Sequence, residues 1–393
     1  MVKSNRNMVN KKQQLGQFFT KNSKEILRYF GKYVKGKEVF DPFAGTGDLI
    51  DWALENGAKK ARGCDVDESY VDNRYIFYND SLLNPKKYKF VITNPPYLNI
   101  NKANQRLKDN YFKKFEFEDL YQISLYSIMN SEEGIIIVPI NFLSANNSKK
   151  IRNIFFEKFE IKEMNYFKYQ VFPDTTYNVI SFYYKRKKDL SKNIFSIKTH
   201  IFPEGRIIDV ELKKKFNWSI GGDFLSIINR EKNFLKIKRL TKKDVDNFKG
   251  EIELNAAYNH VKDRIKIRIN EDLCDSIKSN IILLKAIDSG SENGKIALEN
   301  VKKYNIDCLV SKETSRHMVY LIFENKISIS HQEEIIDIFN KQIEKMRENY
   351  LSLFLTNYRD NDRKRISFNF VYKFINYIYF NQIENNKQIS FLN

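Results

Sequence analysis

Apolar and polar positions follow two different patterns along this chain. From residue 37 onward, short apolar runs typical of buried strands are separated by stretches in which apolar residues recur with a helical period. Strands that alternate with helices predict an α/β fold with a mostly parallel sheet covered on both faces. The predicted strands span residues 38–41, 61–67, 75–80, 88–94 and 134–140, and the predicted helices span 47–58, 118–130 and 146–159.

The pattern changes after residue 160. The segments "IKEMNYF" and "NVISFYYKR" predict two further strands around a loop that contains proline, which would give the sheet an antiparallel end. The polar stretch over 185–193 is typical of a domain boundary. We therefore predict an α/β domain over 1–190 and a mixed α+β domain over 191–393, whose last predicted helix spans 332–355.

The net charge narrows the class of partner. Lys and Arg number 67 against 49 Asp and Glu, so the formal net charge is +18. A charge of this size favours a polyanion such as nucleic acid over an acidic small molecule. Lys, Asn, Ile, Phe and Tyr are also abundant, as in chains encoded by AT-rich genomes, so the charge alone leaves both explanations open.

The spacing of cysteine and histidine argues against metal and disulfide chemistry. Cys64, Cys274 and Cys308 form no CxxC pair, and the four histidines show no HExxH spacing. We expect neither a disulfide framework nor a metal site. The first residues contain no apolar run, and nowhere do eighteen apolar residues follow one another. We therefore expect no membrane segment and a cytoplasmic location.

A turn with two glycines follows the first predicted strand. In "VFDPFAGTGDLI", Asp41 ends the strand, and Gly45 and Gly47 lie in the turn that opens the next helix. Backbone N–H groups approach a ligand closely at such turns. Ile50 replaces the third glycine of a dinucleotide fingerprint, which disfavours pyrophosphate. An acid at this position suits a ligand with a cationic amino group instead, such as the methionine part of S-adenosylmethionine.

Two more acids lie at predicted strand ends. Asp65 ends the second strand, where a carboxylate can accept hydrogen bonds from the two hydroxyl groups of a ribose. Asp80 ends the third strand and could accept from the amino group of an adenine. Each acid alone also fits a solvated residue or a helix cap. Three acids at the ends of three consecutive strands, beside the glycine turn, favour a nucleoside-binding edge.

The stretch "TNPPYLN" follows the fourth predicted strand, on the same edge of the sheet. Pro95 and Pro96 fix two successive φ angles, which makes a stiff extended step. Such a step aims the Asn94 amide oxygen and the Pro95 carbonyl oxygen at one point. Two acceptors at one point match the two hydrogens of an exocyclic amino group. Tyr97 offers a flat face on which an aromatic ring can stack.

This arrangement suits methyl transfer to an aromatic amine. The lone pair of adenine N6 is delocalised into the ring. Two acceptors that pull on its hydrogens make the nitrogen more tetrahedral and direct the lone pair at a sulfonium methyl group. The step then depends mainly on positioning, which can supply roughly 7 to 11 kcal/mol of the barrier. A plain turn can have the same sequence, but its place after the glycine turn favours the catalytic interpretation.

Three segments in this order carry a family resemblance: "QLGQFFT" (14–20), "DPFAGTGDLI" (41–50) and "NPPY" (94–97). They closely resemble the amino-DNA methyltransferases that form N6-methyladenine and have a C-terminal target-recognition domain. The resemblance covers residues 13–186. It implies a Rossmann-like, S-adenosylmethionine-dependent domain followed by a DNA-recognition domain. By the family pattern, the cofactor residues are Thr20, Asp41, Phe43, Gly45, Gly47, Asp65 and Asp80, and the catalytic residues are Asn94, Pro95, Pro96 and Tyr97.

The family also has an aromatic residue that stacks on the target base opposite the tyrosine. The segment "VFPDTTYNV" (171–179) resembles that part of the family, which makes Phe172 the candidate, although a core phenylalanine beside a strand end has the same pattern. Such an enzyme must flip its base out of the duplex, and stacking between Tyr97 and Phe172 would offset that cost. Cytosine-N4 enzymes more often have Ser in place of Asn94, so the resemblance implies adenine.

Basic residues alternate along "VKDRIKIRI" (261–269) in the second half of the chain. The basic set lies on one predicted strand face, and Val261, Asp263 and three isoleucines lie on the other. Basic side chains would then be spaced roughly 6.5 to 7 Å apart, a row that suits phosphates. An amphipathic strand with a solvated face explains the pattern equally. The candidate DNA-binding residues are Lys262, Arg264, Lys266 and Arg268.

The sequence therefore predicts a site-specific adenine-N6 methyltransferase whose partner is double-stranded DNA and whose cofactor is S-adenosylmethionine. A cognate restriction endonuclease would act separately. Two rivals stay open. One is an RNA or protein-glutamine methyltransferase on the same fold, although such relatives usually carry their extra domain before the cofactor domain. The other is a non-catalytic DNA-binding subunit, which would be expected to have lost part of the Asn94 step or the glycine turn.

Overall fold

Two units make up the chain, the first ending at Ile220 and the second beginning at Gly221. Each unit has its own sheets and its own buried apolar side chains. The structure is a computed structural model, and it describes residues 20–172, 178–288, 295–350, 356–357 and 364–384.

A large sheet organises the first unit. Its strands are β1 (Glu38–Asp41), β2 (Lys60–Asp65), β3 (Ile76–Tyr78), β4 (Tyr88–Thr93), β5 (Ser131–Pro139), β6 (Phe159–Phe167), β7 (Val179–Arg186), β8 (Ile194–Phe202) and β9 (Arg206–Lys213). Within the described residues they pair in the order β3-β2-β1-β4-β5-β7-β6-β8-β9. The five strands from β3 to β5 are parallel. The strand order reverses between β1 and β4, and ligands bind at such a point in open α/β sheets.

Helices connect β1 to β2 and β4 to β5, as the alternating pattern predicts, whereas a 3-10 turn (Glu68–Tyr70) lies between β2 and β3 and the described residues between β3 and β4 form no helix. The α-helices of this unit are α1 (Ser23–Ile26), α2 (Gly31–Val34), α3 (Asp48–Glu55), α4 (Gln105–Leu107), α5 (Lys113–Phe115), α6 (Leu120–Ser127), α7 (Asn141–Ser144) and α8 (Lys149–Lys158), with a π-helical segment at Lys108–Phe112. The helix α3 begins after Gly47, whose φ of 86° is left-handed and favours glycine. Its apolar side, which includes Leu49, Ile50 and Trp52, is buried.

The antiparallel end of the sheet is confirmed, and it is longer than the sequence predicts. β7 lies antiparallel between β5 and β6. The polar stretch over 185–193, predicted as a domain boundary, instead leads into β8, which pairs in parallel with β6, and β9 follows antiparallel to β8. The first unit therefore continues thirty residues beyond the predicted boundary at 190, to Ile220.

The second unit is mixed α+β. Its strands are β10 (Ile237–Arg239), β11 (Ile252–Tyr258), β12 (His260–Ile269), β13 (Ile282–Lys285), β14 (Ile287–Asp288), β15 (Ala297–Asn300), β16 (Cys308–Val310), β17 (Met318–Phe323), β18 (Thr356–Asn357) and β19 (Lys364–Arg365). Its helices are α9 (Gly222–Arg230), α10 (Lys242–Asn247), α11 (Glu271–Lys278), α12 (Ile329–Tyr350) and α13 (Phe368–Ile378). The helix predicted over 332–355 is present as α12, and its predicted end at 351–355 lies outside the described residues.

Alternate residues of β13 and β17 divide the second unit into two apolar clusters. Leu284 and Leu321 belong to the cluster that includes α12 and α13, whereas Leu283 and Tyr320 belong to the cluster that includes β11 and β12. Such alternation is what a strand buried on both faces requires. In the part of the chain that the structure describes, no helix combines the length and apolar character needed to cross a bilayer.

A buried carboxylate connects three elements of the first unit. Glu163 of β6 accepts hydrogen bonds from the Tyr33 hydroxyl at 2.6 Å and from His200 Nε2 at 2.8 Å, and it lies 2.7 Å from Lys32 Nζ. Burial raises the pKa of Glu163, but the hydrogen bonds from Lys32, Tyr33 and His200 outweigh it and lower the pKa from 4.5 to about 2. The ionised carboxylate thus stabilises the contact of α2 with β6 and β8.

We predict that Glu163→Gln lowers the free energy of unfolding by about 1 to 3 kcal/mol at pH 7, because the charge-assisted hydrogen bonds are lost. Since the pKa of Glu163 is lowered in the folded chain, its stabilisation is complete above pH 4.5 and disappears as the pH falls towards 2. Urea unfolding should therefore show a difference between variant and wild type that shrinks below pH 4.5. Glu211→Gln, at an exposed pair with Lys213, is the matched control. A difference independent of pH would contradict the assignment.

Candidate active site

A cleft opens at the carboxyl ends of the parallel strands, where β1 and β4 meet. It encloses about 880 Å³ of space, part of it open to solvent. Its described lining consists of Thr20, Asp41, Pro42, Phe43, Ala44, Gly45, Asp48, Leu49, Asp65, Val66, Asn79, Asp80, Ser81, Leu82, Asn94, Pro96, Leu107, Tyr111 and Leu120.

Asp41 is one of the acids that line this cleft. Its side chain is only 1% exposed. Its Oδ1 accepts hydrogen bonds from the Phe43 backbone N–H at 3.0 Å and from the Thr93 hydroxyl at 2.8 Å. Burial raises the pKa of Asp41 from 3.8 to about 7, although both hydrogen bonds act in the opposite direction. A buried acid of this kind is stabilised in its ionised form by a cationic ligand.

A hydrogen bond to Asp65 joins the glycine turn to the end of β2. Asp65 Oδ2 accepts from the Gly45 backbone N–H at 2.8 Å, and Asp65 Oδ1 accepts from the Asp67 backbone N–H at 2.8 Å. The Gly45 N–H, predicted to face a ligand, is therefore used within the protein. Gly63, which sequence reasoning missed, allows the turn to approach β2: a Cβ there would lie 2.7 Å from both the Ala44 Cβ and the Asp41 carbonyl oxygen.

Asp80 is held by donors from two sides. Its Oδ1 accepts from the backbone N–H groups of Leu82 and Leu83 at 3.1 and 3.2 Å. Its Oδ2 accepts from the Tyr111 hydroxyl at 2.9 Å. Burial, and then the nearby Asp80 carboxylate, raise the pKa of Tyr111, so its hydroxyl remains a donor at neutral pH.

The Asn94 side chain is oriented by two neighbours. Its Nδ2 donates to the Thr20 hydroxyl at 3.2 Å, and the Tyr97 hydroxyl donates to its Oδ1 at 2.5 Å. The Tyr97 hydroxyl also lies 2.9 Å from the Ile137 carbonyl oxygen. A hydroxyl has one proton, so it donates to one of these two acceptors at a time. Asn94 lines the cleft in this orientation.

The two aromatic residues predicted to stack on a target base are buried in this structure. The Tyr97 ring is 8% exposed and meets Tyr121 edge-on, with ring centroids 6.4 Å apart. Phe172 is 2% exposed. The rest of its predicted segment, over 173–177, lies outside the described residues. Stacking by these two rings stays a prediction, and it requires a different orientation of the Tyr97 ring.

Most of the predicted site residues meet in the cleft. Gly47, Pro95, Tyr97 and Phe172 do not contribute to its described lining. Sequence reasoning missed Asp48, Asn79, Leu107 and Tyr111, among others. Asn79 directly precedes Asp80 and was recognisable as part of a strand end. Leu107 and Tyr111 carried no signal, because they come from an irregular helical segment between the Asn94 step and α6.

The charge of the cleft is opposite to that of the chain. Its described lining has four carboxylates, Asp41, Asp48, Asp65 and Asp80, and no Lys or Arg. The residues present therefore fit S-adenosylmethionine, which has an amino group, a sulfonium, a ribose and an adenine. Across the described residues, no group of three or more His, Cys, Asp or Glu side chains could hold a metal ion.

The predicted basic row lies on β12, an edge strand of the sheet ordered β12-β11-β16. Lys262, Arg264, Lys266 and Arg268 are all exposed. The opposite face is only partly buried, since Asp263 and Ile265 are exposed as well. Two of the four cations are near one acid: Lys266 Nζ lies 2.5 Å and Arg268 Nε 3.6 Å from Glu253, on the neighbouring strand β11.

Comparison with known proteins supports a methyltransferase. Residues 46–172, about a third of the chain, match the family model described as Eco57I restriction-modification methylase. The matched segment includes Gly47, Asp65, Asp80 and the residues from Asn94 to Tyr97. No curated protein matches the chain. The methylase resemblance is supported for this segment, and adenine as the methylated base stays a prediction.

Several solved structures overlay on parts of the chain. One is a modification subunit assigned to a type I restriction enzyme from Vibrio vulnificus, with 15% identity, a TM-score of 0.39, and coverage of 76% of this chain and 62% of its own. The second is a methyltransferase subunit of a type I restriction-modification system from Streptococcus thermophilus, with 15% identity, a TM-score of 0.33, and coverage of 47% and 48%.

A third is a protein from Pyrococcus horikoshii assigned as an RNA methyltransferase, with 19% identity, a TM-score of 0.34, and coverage of 46% and 89%. The chain thus spans less than two thirds of the Vibrio vulnificus subunit. Overlays with scores of this size do not identify a substrate.

We predict that Asp41→Asn stabilises the folded chain at high pH. Because burial raises the pKa of Asp41 to about 7, ionisation costs stability progressively as the pH rises above 3.8, and the cost is complete above about 7. The gain in free energy of unfolding should be larger at pH 8 than at pH 5, with an upper bound of roughly 4 kcal/mol. Urea unfolding at both pH values measures it. Asp51→Asn, in the exposed part of α3, should show no such pH dependence.

Proposed function

We propose that this chain is an S-adenosylmethionine-dependent DNA methyltransferase that methylates the N6 amino group of an adenine flipped out of double-stranded DNA. One observation carries the proposal: the amide of Asn94, the first residue of the NPPY step, lines the same acid-rich cleft as Asp41, Asp65 and Asp80. The cleft supplies the nucleoside-binding groups, and Asn94 supplies an acceptor for the amine to be methylated.

Three acids of the cleft have separate roles in this proposal. Asp41 would bind the cationic methionine end, Asp65 the ribose and Asp80 the adenine of the cofactor, with Thr20, Phe43 and Gly45 beside them and Gly47 in the adjoining turn. When bound, S-adenosylmethionine supplies an electrophilic methyl group. These residues hold the bound molecule and exclude water, so the contribution of the chain is mainly positioning.

Asn94 would act on the target base. Its Oδ1 already accepts a hydrogen bond from the Tyr97 hydroxyl, so the oxygen is directed towards donors before any base arrives. An amine hydrogen takes the place of that hydroxyl, and the Pro95 carbonyl oxygen accepts the second hydrogen. Two acceptors make the nitrogen more nucleophilic without a general base, and its proton leaves to water. Tyr97 and Phe172 stack on the flipped ring in this proposal.

The basic row on β12 would bind the DNA backbone. Four exposed cations on an edge strand follow the spacing of a β-strand, and phosphate contacts position a protein without specifying sequence. Glu253 reduces the local charge at Lys266 and Arg268, so we expect Lys262 and Arg264 to contribute most. A cognate restriction endonuclease would act as a separate protein on the same sequence.

We predict that Asn94→Ala lowers transfer of a tritiated methyl group from S-adenosylmethionine to unmethylated duplex DNA by roughly a hundredfold or more. Cofactor affinity, measured by calorimetry, should change little, because Asn94 contacts the amine rather than the cofactor in this proposal. Asn101→Ala, at an exposed asparagine outside the cleft, is the matched control. Equal transfer by wild type and Asn94→Ala would exclude the proposed step.

The labelled product also identifies the substrate class. Digestion of the methylated DNA to nucleosides should give N6-methyladenine and no N4-methylcytosine. Label that enters only RNA or a protein would refute the DNA assignment while leaving the cleft chemistry in place. Sequencing host DNA with detection of modified adenines would then identify the recognised sequence.

We predict that Lys262→Ala combined with Arg264→Ala weakens duplex binding and makes its dependence on salt less steep, by roughly 1 in log–log slope for each phosphate contact removed. Fluorescence anisotropy with a labelled duplex at several salt concentrations measures both quantities. Lys238→Ala is the control. This exposed lysine lies on β10 instead of β12, and its Nζ is 2.8 Å from a carboxylate oxygen of Glu324. An equal loss in the control would show that only net charge matters.

A further inference from the structure

Tyr111 lines the cleft but belongs to none of the strand-end motifs, and its side chain carries a hydroxyl group. It lies in the π-helical segment Lys108–Phe112, between the Asn94 step and α6. Its side chain is buried, it lines the cleft beside Leu107, and its hydroxyl donates to Asp80 Oδ2 at 2.9 Å. Tyr111 is therefore hydrogen-bonded to Asp80, one of the acids that line the cleft.

The hydrogen bonds already made to Asp80 determine which of its acceptor positions are still available. A carboxylate offers about four acceptor positions and no donor. Two are used at Oδ1 by the Leu82 and Leu83 N–H groups, and one is used at Oδ2 by Tyr111. One acceptor position remains, on Oδ2. The backbone donors fix one oxygen and Tyr111 fixes the other, so the carboxylate cannot rotate without losing hydrogen bonds.

We infer that Tyr111 is a positioning residue that makes the nucleoside end of the cleft select a 6-amino-purine over a 6-oxo-purine. This inference rests on the proposed function, in which Asp80 faces the cofactor base. A 6-amino group donates to the remaining acceptor of Asp80. A 6-oxo group would place a second acceptor against it, and an unsatisfied pair of acceptors in a partly buried site is unfavourable.

The same geometry separates this role from simple packing. A tyrosine that only fills space would affect every ligand of the cleft equally when its hydroxyl is removed. A tyrosine that fixes the Asp80 carboxylate would affect discrimination between the two purines. Without the Tyr111 hydroxyl, the Asp80 carboxylate can rotate more freely and Oδ2 has a second free acceptor position. A water molecule can bind at that position and donate its other hydrogen to an oxo group.

The test is calorimetric titration of the full chain with S-adenosylhomocysteine and with its 6-oxo counterpart, S-inosylhomocysteine. Both ligands are measured on wild type, on Tyr111→Phe and on Tyr126→Phe. Tyr126 is the matched control, since its ring is 43% exposed and does not line the cleft. Thermal unfolding of each variant verifies that it is folded.

We expect wild type and Tyr126→Phe to prefer the adenosyl ligand by the same ratio, and Tyr111→Phe to reduce that ratio roughly fivefold to twentyfold. An unchanged ratio in Tyr111→Phe overturns the inference, even if both affinities fall. Failure of wild type to bind either ligand overturns the proposed cofactor itself, which distinguishes the two failures.

Asp80→Asn provides a second measurement that does not depend on Tyr111. Its amide keeps an oxygen for the Leu82 and Leu83 N–H groups and places an NH₂ donor where Oδ2 was. We expect this variant to bind the 6-oxo ligand at least as well as the 6-amino ligand, which reverses the wild-type preference. Retention of the wild-type preference would show that Asp80 does not read the base, and the role of Tyr111 would fail with it.

Discussion

A single buried hydrogen bond, donated by the Thr93 hydroxyl to Asp41 Oδ1 at 2.8 Å, joins the ends of the two central strands. Backbone pairing between β1 and β4 is short, with only Phe40 and Val91 in register. The glycine turn follows Asp41 directly, and Asn94 follows Thr93 directly. This bond therefore holds the glycine turn close to the proposed catalytic step, and the rest of the cleft is arranged around these two strand ends.

The cleft around that bond differs in charge from the chain as a whole. A chain with a net charge of +18 concentrates four carboxylates and no cation in the described lining of one cleft. Burial raises the pKa of Asp41 to about 7 and also raises the pKa of Asp65, so the charged forms are costly in the free protein. A cationic ligand relieves that cost. The cleft thus suits a small cation although the chain as a whole is strongly basic.

Much of this arrangement could be predicted because the signals were local. Strand ends, turn glycines and the prolines after Asn94 are visible in short stretches, and the first five strands and the edge they share were confirmed. Long-range pairing was not visible: β8 and β9 look like separate elements until β8 pairs with β6. Tyr111 was missed for the same reason, since its contact with Asp80 joins residues 31 positions apart. On β12, strict alternation suggested two distinct faces, but an edge strand exposes Asp263 and Ile265 as well.

The Tyr97 hydroxyl explains how Asn94 can be both ordered and available. With no base present, a partly buried amide oxygen without a donor would be unfavourable, and Tyr97 supplies one. The Ile137 carbonyl oxygen lies 2.9 Å from the same hydroxyl and is its second acceptor when no base is bound. Thr20 meanwhile keeps the amide nitrogen turned away from the incoming amine. In the proposed reaction the Tyr97 side chain turns to stack on the base, which breaks its hydrogen bond to Asn94 Oδ1. The incoming amine then becomes the donor to Oδ1, and the Asn94 oxygen itself does not have to move.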